Sequence, residues 1–269
     1  MTVTNDQAGT RIDEIAPKIF RISTPVPPEA MPGGFTFNQF LLVDDEPLLF
    51  HTGPRKMFSL THEAVASVID PSRLRWISFS HFEADECGAL NEWLAAAPDA
   101  QPLCSALAAM VSVDDFADRP AKPLADGETH SLGRLCVQWF DTPHLPHGME
   151  AGYLFETTTR ALLCGDLLAQ PGAEPPAITE SAALVWEPSE AMRKEFPYAP
   201  IQGAAALLDK LAATEPEVLA CMHGASYRGD GAALLQRLGA ALNGSSRTEL
   251  GASTDQGSTN ASTNVSLEA

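Results

Sequence analysis

Four short apolar segments of this chain end in side chains that can bind a metal ion. The segment Leu74 to Phe79 leads into His81, Glu83 and Asp85, and the segment Leu135 to Phe140 leads into a loop with His144 and His147. Two more segments end in Gly165-Asp166 and in His223-Gly224. Loops at strand ends commonly hold ligands. A lone histidine or carboxylate there is usually structural, but four such groups in this order predict one shared metal site.

The acidic loop has two interpretations. Alternate residues of an extended segment point the same way, so His81, Glu83 and Asp85 can converge on one ion. Asp85 and Glu86 could instead complement the positive end of a helix that follows. Helix capping alone does not explain His81 and Glu83. In the second loop, Pro143 and Pro146 hold both histidines in a stiff, extended segment.

Periodicity and turn residues predict the elements that position these loops. Strands are predicted at Lys18–Ser23, Phe37–Val43, Pro47–His51, Leu74–Phe79, Pro102–Cys104, Leu135–Phe140, Gly152–Glu156, Ala161–Cys164 and Val218–Met222. Helices are predicted at Leu60–Ile69, Cys87–Ala97, Glu187–Glu195, Ile201–Ala213 and Gly231–Leu242. Residues 1–242 thus form one predicted domain. Residues 243–269 are rich in Ser, Thr, Asn, Gly and Ala, and we expect a disordered tail there.

Composition and charge exclude several function classes. Apolar residues make up 45% and charged residues 19% of the 269 residues, as in ordinary globular proteins. The net charge of −18 argues against a nucleic-acid partner. No apolar run is long enough to span a bilayer, and no signal peptide is evident at the start. Five widely spaced cysteines indicate neither a disulfide framework nor a zinc knuckle. We expect a cytoplasmic protein without a membrane partner.

These residues resemble the metallo-β-lactamase superfamily and, within it, the flavodiiron and oxygen-binding di-iron proteins. The resemblance spans most of Ile19 to Leu242. It includes Asn38 to Val43 and Pro47 to Gly53, which look like the opening hairpin and Asp-Thr-Gly turn of the superfamily. In this chain, however, His51 occupies the position where the superfamily usually has the aspartate. We expect that departure to loosen a contact to the ligand loops. The zinc hydrolases carry His-x-His-x-Asp-His, whereas His81-x-Glu83-x-Asp85 matches the di-iron form.

The resemblance implies an α+β fold of four layers, αββα, and a set of ligands for two metal ions. The first iron would be bound by His81, Glu83 and His144, the second by Asp85 and His223, and Asp166 would bridge them. The resemblance makes His147 a pocket-lining group. Glu86 stands where the family commonly has a histidine; it is either an extra ligand or, as we favour, a helix-capping neighbour of the ligands. Tyr198 and Phe196 lie where a pocket aromatic is expected, although such aromatics are more often core.

Carboxylate ligands favour iron over zinc, because oxygen donors stabilise the higher charge of ferric iron. We therefore expect a centre of two iron ions that binds or reduces dioxygen or nitric oxide. The alternatives are a metal-dependent hydrolase of esters or thioesters, with zinc as the alternative metal, and an oxygen sensor without turnover. No FMN site is expected in this chain, so a separate flavin or iron–sulfur protein would donate electrons. A homodimer is one assembly left open.

Overall fold

Two β-sheets face each other across an apolar interior in the computed structural model, which describes residues 2–199 and 201–252, with side chains to residue 243. In this part of the chain the first sheet has eight strands in sequence order. They are β1 (Thr2–Asn5), β2 (Thr10–Ala16), β3 (Ile19–Val26), β4 (Phe35–Leu42), β5 (Leu48–Phe50), β6 (Trp76–Ser78), β7 (Gln101–Ser105) and β8 (Lys122–Leu124). Neighbours from β1 to β5 are antiparallel, and those from β5 to β8 are parallel.

The second sheet has seven strands among the described residues, in the order β13, β15, β14, β12, β11, β10, β9. They are β9 (Thr129–Ser131), β10 (Cys136–Asp141), β11 (Gly152–Glu156), β12 (Ala161–Leu163), β13 (Ile178–Thr179), β14 (Val218–Ala220) and β15 (Ser226–Arg228). β12 and β14 are parallel, and β11 runs antiparallel to both β10 and β12. β10, β12 and β14 therefore run in the same direction, and their carboxyl ends lie on the same side of the sheet.

Helices cover the outer face of each sheet. They are α1 (Phe58–Ala66), α2 (Ala84–Cys87), α3 (Leu90–Ala96), α4 (Ala106–Ala108), α5 (Asp114–Phe116), α6 (Ala182–Glu195), α7 (Ala204–Ala212) and α8 (Gly231–Ala252). A π-helical turn (Ala109–Val113) joins α4 to α5. The inner faces of the two sheets pack on each other, so Phe40 and Leu48 of the first sheet share one buried cluster with Trp139 and Leu154 of the second.

Three buried apolar clusters separate the four layers. One joins the outer face of the first sheet to α1 and α3, through residues such as Val65 and Trp93. The second fills the space between the two sheets. The third joins the second sheet to α6, α7 and α8, through residues such as Leu162 and Leu208. This arrangement confirms the predicted α+β fold of four layers, αββα.

The predicted strands that flank the ligand loops are confirmed, with shifts at their ends. The helix predicted at Cys87–Ala97 is instead two short helices, α2 and α3, and α2 begins at Ala84, so Asp85 lies in a helical turn and not in an extended segment. The elements that the sequence did not predict are β1, β2, β8, β9, β13, β15 and the helical segment from α4 to α5. Helix α8 continues past Leu242 to Ala252, and the rest of the predicted tail lies outside the described residues. Among the described residues, no helix is both long and apolar enough to cross a membrane.

Candidate metal centre

The acidic loop after β6 lies at the carboxyl end of the parallel strands of the first sheet. It carries His81 and Glu83, and the first turn of α2 carries Asp85 and Glu86. His81 Nε2 lies 3.7 Å from Glu83 Oε2 and 3.8 Å from Glu86 Oε1. His81 and Glu86 are buried, whereas Glu83 is half-exposed. The loop therefore presents one buried imidazole to several carboxylates.

His147 reaches this loop from the segment after β10. Its Nε2 atom lies 3.2 Å from Glu83 Oε1 and 3.4 Å from Asp166 Oδ2. Its ring packs edge-on against the ring of His81, with 4.5 Å between the ring centroids. His147 thus belongs to a group of potential ligands with His81, Glu83 and Asp166.

His144 lies apart from both groups of potential ligands found among the described residues. It is exposed, and its φ of 64° places it in a left-handed turn, where its amide donates to the carbonyl of Gly148 at 2.7 Å. The structure therefore places His144 and His147 the opposite way round from the expectation. The segment with both histidines is therefore a turn and not the extended segment that Pro143 and Pro146 predict, and this turn directs only His147 toward the acidic loop.

Asp166 lies between the two groups and follows β12. Gly165 precedes it with a φ of 49°, and a Cβ atom at this position would lie only 2.6 Å from Ser80 Oγ. A glycine at 165 therefore lets the loop that carries Asp166 approach the loop that carries His81. Asp166 Oδ2 lies 3.6 Å from His81 Nε2, and Asp166 Oδ1 lies 3.1 Å from His223 Nε2. The two oxygens of one carboxylate thus face two different histidines.

His223 follows β14 and completes the second group. Its Nδ1 atom donates to the carbonyl of Thr36 at 2.8 Å, which leaves Nε2 to face Asp85 and Asp166. Its ring stacks on Phe35 with 4.2 Å between centroids. These two contacts could not be found from the sequence, because Thr36 and Phe35 lie on β4, far away along the chain. Asp85, Glu86 and His223 form the second group of potential ligands.

The distances between donor atoms suit two metal ions. Donor atoms that share one ion at roughly 2 Å lie about 3 to 4 Å from one another. In the first group, the separations that involve His81, Glu83, His147 and Asp166 run from 3.2 to 3.7 Å. In the second group, His223 Nε2 lies 3.6 Å from Asp85 Oδ2.

Unpartnered polar atoms support the presence of a cation site. Within the described residues, His81 Nε2, His147 Nε2 and both carboxylate oxygens of Glu86 are buried and form no hydrogen bond. Buried polar atoms are normally paired, because burial without a partner costs free energy. The donor set consists of imidazole nitrogens and carboxylate oxygens, and both bind iron and zinc. These residues therefore fit two metal ions.

The neighbouring charges shift the pKa values of these groups. Burial alone would lower the pKa of His223, but the carboxylate of Asp166, whose Oδ1 lies 3.1 Å from His223 Nε2, raises it. The pKa of Asp166 lies far below its usual range, although burial opposes this, because His223, His81 and His147 surround it. Burial and the charge of Asp166 raise the pKa of Glu86 well above its usual range. The site therefore favours positive charge.

A hydrogen-bonded chain holds His81 from behind. Ser80 Oγ lies 2.9 Å from His81 Nδ1 and 3.1 Å from Nε2 of His51. His51 is buried, with a φ of 63°, and burial holds its pKa well below the usual range. His51 therefore contacts the loop that carries His81 through Ser80.

A pocket of about 380 Å³ opens beside the second group of potential ligands. Its floor and walls include Asp85, Asp166, His147, His223, Phe35, Pro146, Met192, Phe196 and Tyr198. The hydroxyl of Tyr198 donates to the carbonyl of Asp166 at 3.2 Å. Tyr198 therefore both lines the pocket and holds the backbone of Asp166, while Phe196 is largely exposed at the pocket wall.

The chain matches one protein-family sequence model and several individual proteins. The sequence model described as "ODP family beta lactamase" matches residues 35–224. The rubredoxin-oxygen oxidoreductase of Megalodesulfovibrio gigas is 30% identical over 207 residues, which is 74% of this chain and 50% of that protein. The nitric oxide reductase of Moorella thermoacetica is 28% identical over 142 residues, which is 51% of this chain and 35% of that protein. The chain thus spans half or less of the length of these relatives.

A solved structure shows the same fold. The metal-soaked flavodiiron core from Synechocystis superposes with a TM-score of 0.72 at 21% identity, covering 87% of this chain and 60% of that one. The matched family region, residues 35–224, contains all the side chains of both ligand groups.

Proposed function

The chain belongs to the ODP family of beta-lactamases, and on that premise we propose that it is a di-iron protein that binds or reduces dioxygen or nitric oxide. The observation that carries this proposal is the position of Asp166. One of its oxygens faces His81 and His147, and the other faces His223. A carboxylate in this position can bridge two metal ions, and a pair of ions can hold both ends of a diatomic molecule.

We assign the ligands from the distances between donor atoms. His81, Glu83 and His147 would bind the first ion, Asp85 and His223 would bind the second, and Asp166 would bind both. His147 thus replaces His144 in the expected set. Glu83 is an anionic oxygen donor where the zinc hydrolases that this family resembles have a histidine, and oxygen donors favour iron. Two bound iron ions would supply electrons to the diatomic substrate.

The residues of this chain perform the remaining tasks. The carbonyl of Thr36 accepts a hydrogen bond from His223 Nδ1, and the hydroxyl of Ser80 is hydrogen-bonded to His81 Nδ1. These bonds leave the Nε2 atom of each histidine to face the metal site. Tyr198 holds the backbone of Asp166. The apolar walls of the pocket admit a small uncharged molecule and limit the access of water.

The electrons come from a separate donor in this proposal, either a flavin or an iron–sulfur protein. The name of the M. gigas relative, rubredoxin-oxygen oxidoreductase, supports a separate electron donor because it names rubredoxin together with oxygen. We also propose a reducing, cytoplasmic location, because the five cysteines are all unpaired thiols.

A hydrolase is the second candidate, and the size of the pocket favours it. A volume of about 380 Å³ falls within the range of sites for organic ligands and exceeds what a diatomic molecule needs. In that case the metals would be zinc, and an ester or thioester would occupy the pocket.

The test is metal analysis of protein made in iron-sufficient medium, followed by reaction of the reduced protein with dioxygen or nitric oxide. We expect about two iron ions per chain. We also expect the reduced wild-type protein to consume dioxygen or nitric oxide faster than the Asp166→Ala variant does. Zinc without iron, together with ester or thioester hydrolysis, would favour the hydrolase. Reversible binding of dioxygen without consumption would indicate a sensor.

A further inference from the structure

Glu86 is a buried carboxylate that accepts no hydrogen bond from the described residues, although His81 Nε2 lies 3.8 Å from its Oε1. Its side chain is fully buried, and neither oxygen accepts a hydrogen bond from the described residues. Its backbone is fixed, because its carbonyl accepts from the amide of Thr52 at 2.7 Å and from the hydroxyl of Thr52 at 3.2 Å. Such a group is costly to bury unless a proton or a cation accompanies it.

Glu156 provides a comparison within the same chain. It is also fully buried, but backbone amides of Thr158 and Thr159 donate to its oxygens at 3.0 and 2.6 Å, and the hydroxyl of Thr159 donates at 2.6 Å. The fold therefore satisfies one buried glutamate with donors and leaves the other without them. Glu86 is the one beside the metal ligands.

Helix capping does not explain Glu86. Neither of its carboxylate oxygens forms a hydrogen bond with the described residues, so its side chain caps no amide of α2, a helix of only four residues. Its potential ligand atom lies within 4.8 Å of those of Asp85 and His223. The carboxylate of Asp85 repels it unless a proton or a metal ion lies between them.

We propose that Glu86 is a ligand of the second metal ion, together with Asp85, His223 and the bridging Asp166. This inference rests on the proposed metal centre and adds a fourth carboxylate to it. Four ionised carboxylates carry the charge that two divalent cations neutralise. The second ion then has mainly oxygen donors, which favours iron over zinc at that position.

The first test compares Glu86→Gln with wild type, using zinc(II) alone and iron(II) alone without oxygen. Glutamine keeps the shape and removes the charge. We expect the variant to keep one ion at the first site and to bind the second at least about 100-fold more weakly. Glu86→His should retain two ions but prefer zinc more strongly than wild type. Glu156→Gln is the control, and it should unfold at a lower temperature while still binding two ions.

Thermal unfolding separates a ligand from a merely structural residue. Before metal is added, Glu86→Gln should be at least as stable as wild type, because it removes repulsion from Asp85. After metal is added, its gain in stability should be smaller. Two ions bound by Glu86→Gln with wild-type affinity would overturn the inference and leave the proposed function intact. Wild type that binds zinc but no iron would overturn the proposed function, and the zinc measurements would still test Glu86.

Discussion

Replacing His147 with alanine should remove the first metal ion and leave the fold intact. The Nε2 atom of His147 lies within 3.4 Å of both Glu83 and Asp166, so the imidazole is one of four donors in its group. The side chain is 41% exposed, so its truncation leaves no closed cavity. We therefore expect almost no change in the free energy of unfolding measured without metal.

The size of the loss follows from the number of donors. Sites with four protein ligands bind zinc with about 10 to 16 kcal/mol at neutral pH. One donor of four then accounts for about 2.5 to 4 kcal/mol, which corresponds to a roughly 70- to 900-fold weaker affinity. The second ion should be affected less, because His147 lies in the first group.

His144→Ala is the matched control three residues away. His144 is exposed and lies in a left-handed turn, so alanine should lower the free energy of unfolding by about 1 kcal/mol at most. Its metal affinity should equal that of wild type. The assay is competition with a coloured chelator, combined with thermal unfolding. If His144→Ala lost the metal and His147→Ala kept it, the ligand assignment from these distances would be refuted.

Three further predictions concern carboxylates. Asp166→Ala should lose both ions, whereas Asp85→Ala should keep the first ion better than the second. The metal content of both variants tests this, and equal losses would contradict the bridging role of Asp166. Glu83→His should bind more zinc than wild type. After loading with iron and reduction, the variant should also oxidise more slowly in air, as followed by absorbance. An unchanged preference for iron would contradict the role of Glu83 in selecting the metal. Asp44→Asn should lower the free energy of unfolding by about 1 to 3 kcal/mol, because Asp44 accepts a hydrogen bond from the amide of Leu135. Burial alone would raise the pKa of Asp44, but hydrogen bonds from backbone amides and from Lys18 lower it below its usual range. The difference in stability between wild type and Asp44→Asn should therefore shrink in acid, as measured by denaturation at several pH values.

The strand ends of the metal site could be predicted from sequence because apolar runs mark the strands and glycines mark their exits. Gly165 and Asp166 follow β12 in the structure as the pattern predicts. Which of His144 and His147 lies beside the acidic loop could not be predicted in this way. It depends on a left-handed turn at His144, which a histidine adopts without any sequence signal comparable to a glycine.

Other features depend on contacts between distant parts of the chain. Glu86 occupies the first turn of a helix, where capping and metal binding use the same residue type, so only the absence of donors around its oxygens among the described residues distinguishes them. Strand β2 was missed because Arg11, Asp13 and Glu14 interrupt its apolar pattern. The burial of Asp13 shows that its neighbours in the sheet override its low preference for strands.

The histidine at position 51 can perform the task of an aspartate at the same position. For His81 to bind a metal through Nε2, its Nδ1 must carry the proton and donate it to Ser80 Oγ. The hydroxyl of Ser80 then donates to His51 Nε2, which must be an acceptor. Burial lowers the pKa of His51 and keeps it neutral, so the ring can accept this hydrogen bond without adding negative charge.

The two departures from the family pattern therefore offset each other in charge. Position 51 has a neutral imidazole where the family usually has a carboxylate, and position 86 has a carboxylate where a histidine is common. The amide of Thr52 donates to the carbonyl of Glu86, so the two positions are linked through neighbouring backbone. Compared with the family pattern, the negative charge lies not behind His81 but at Glu86, beside the potential ligands Asp85 and His223. The proposed centre would keep the same formal charge, and the carboxylate at position 86 would be placed where it can bind the second ion.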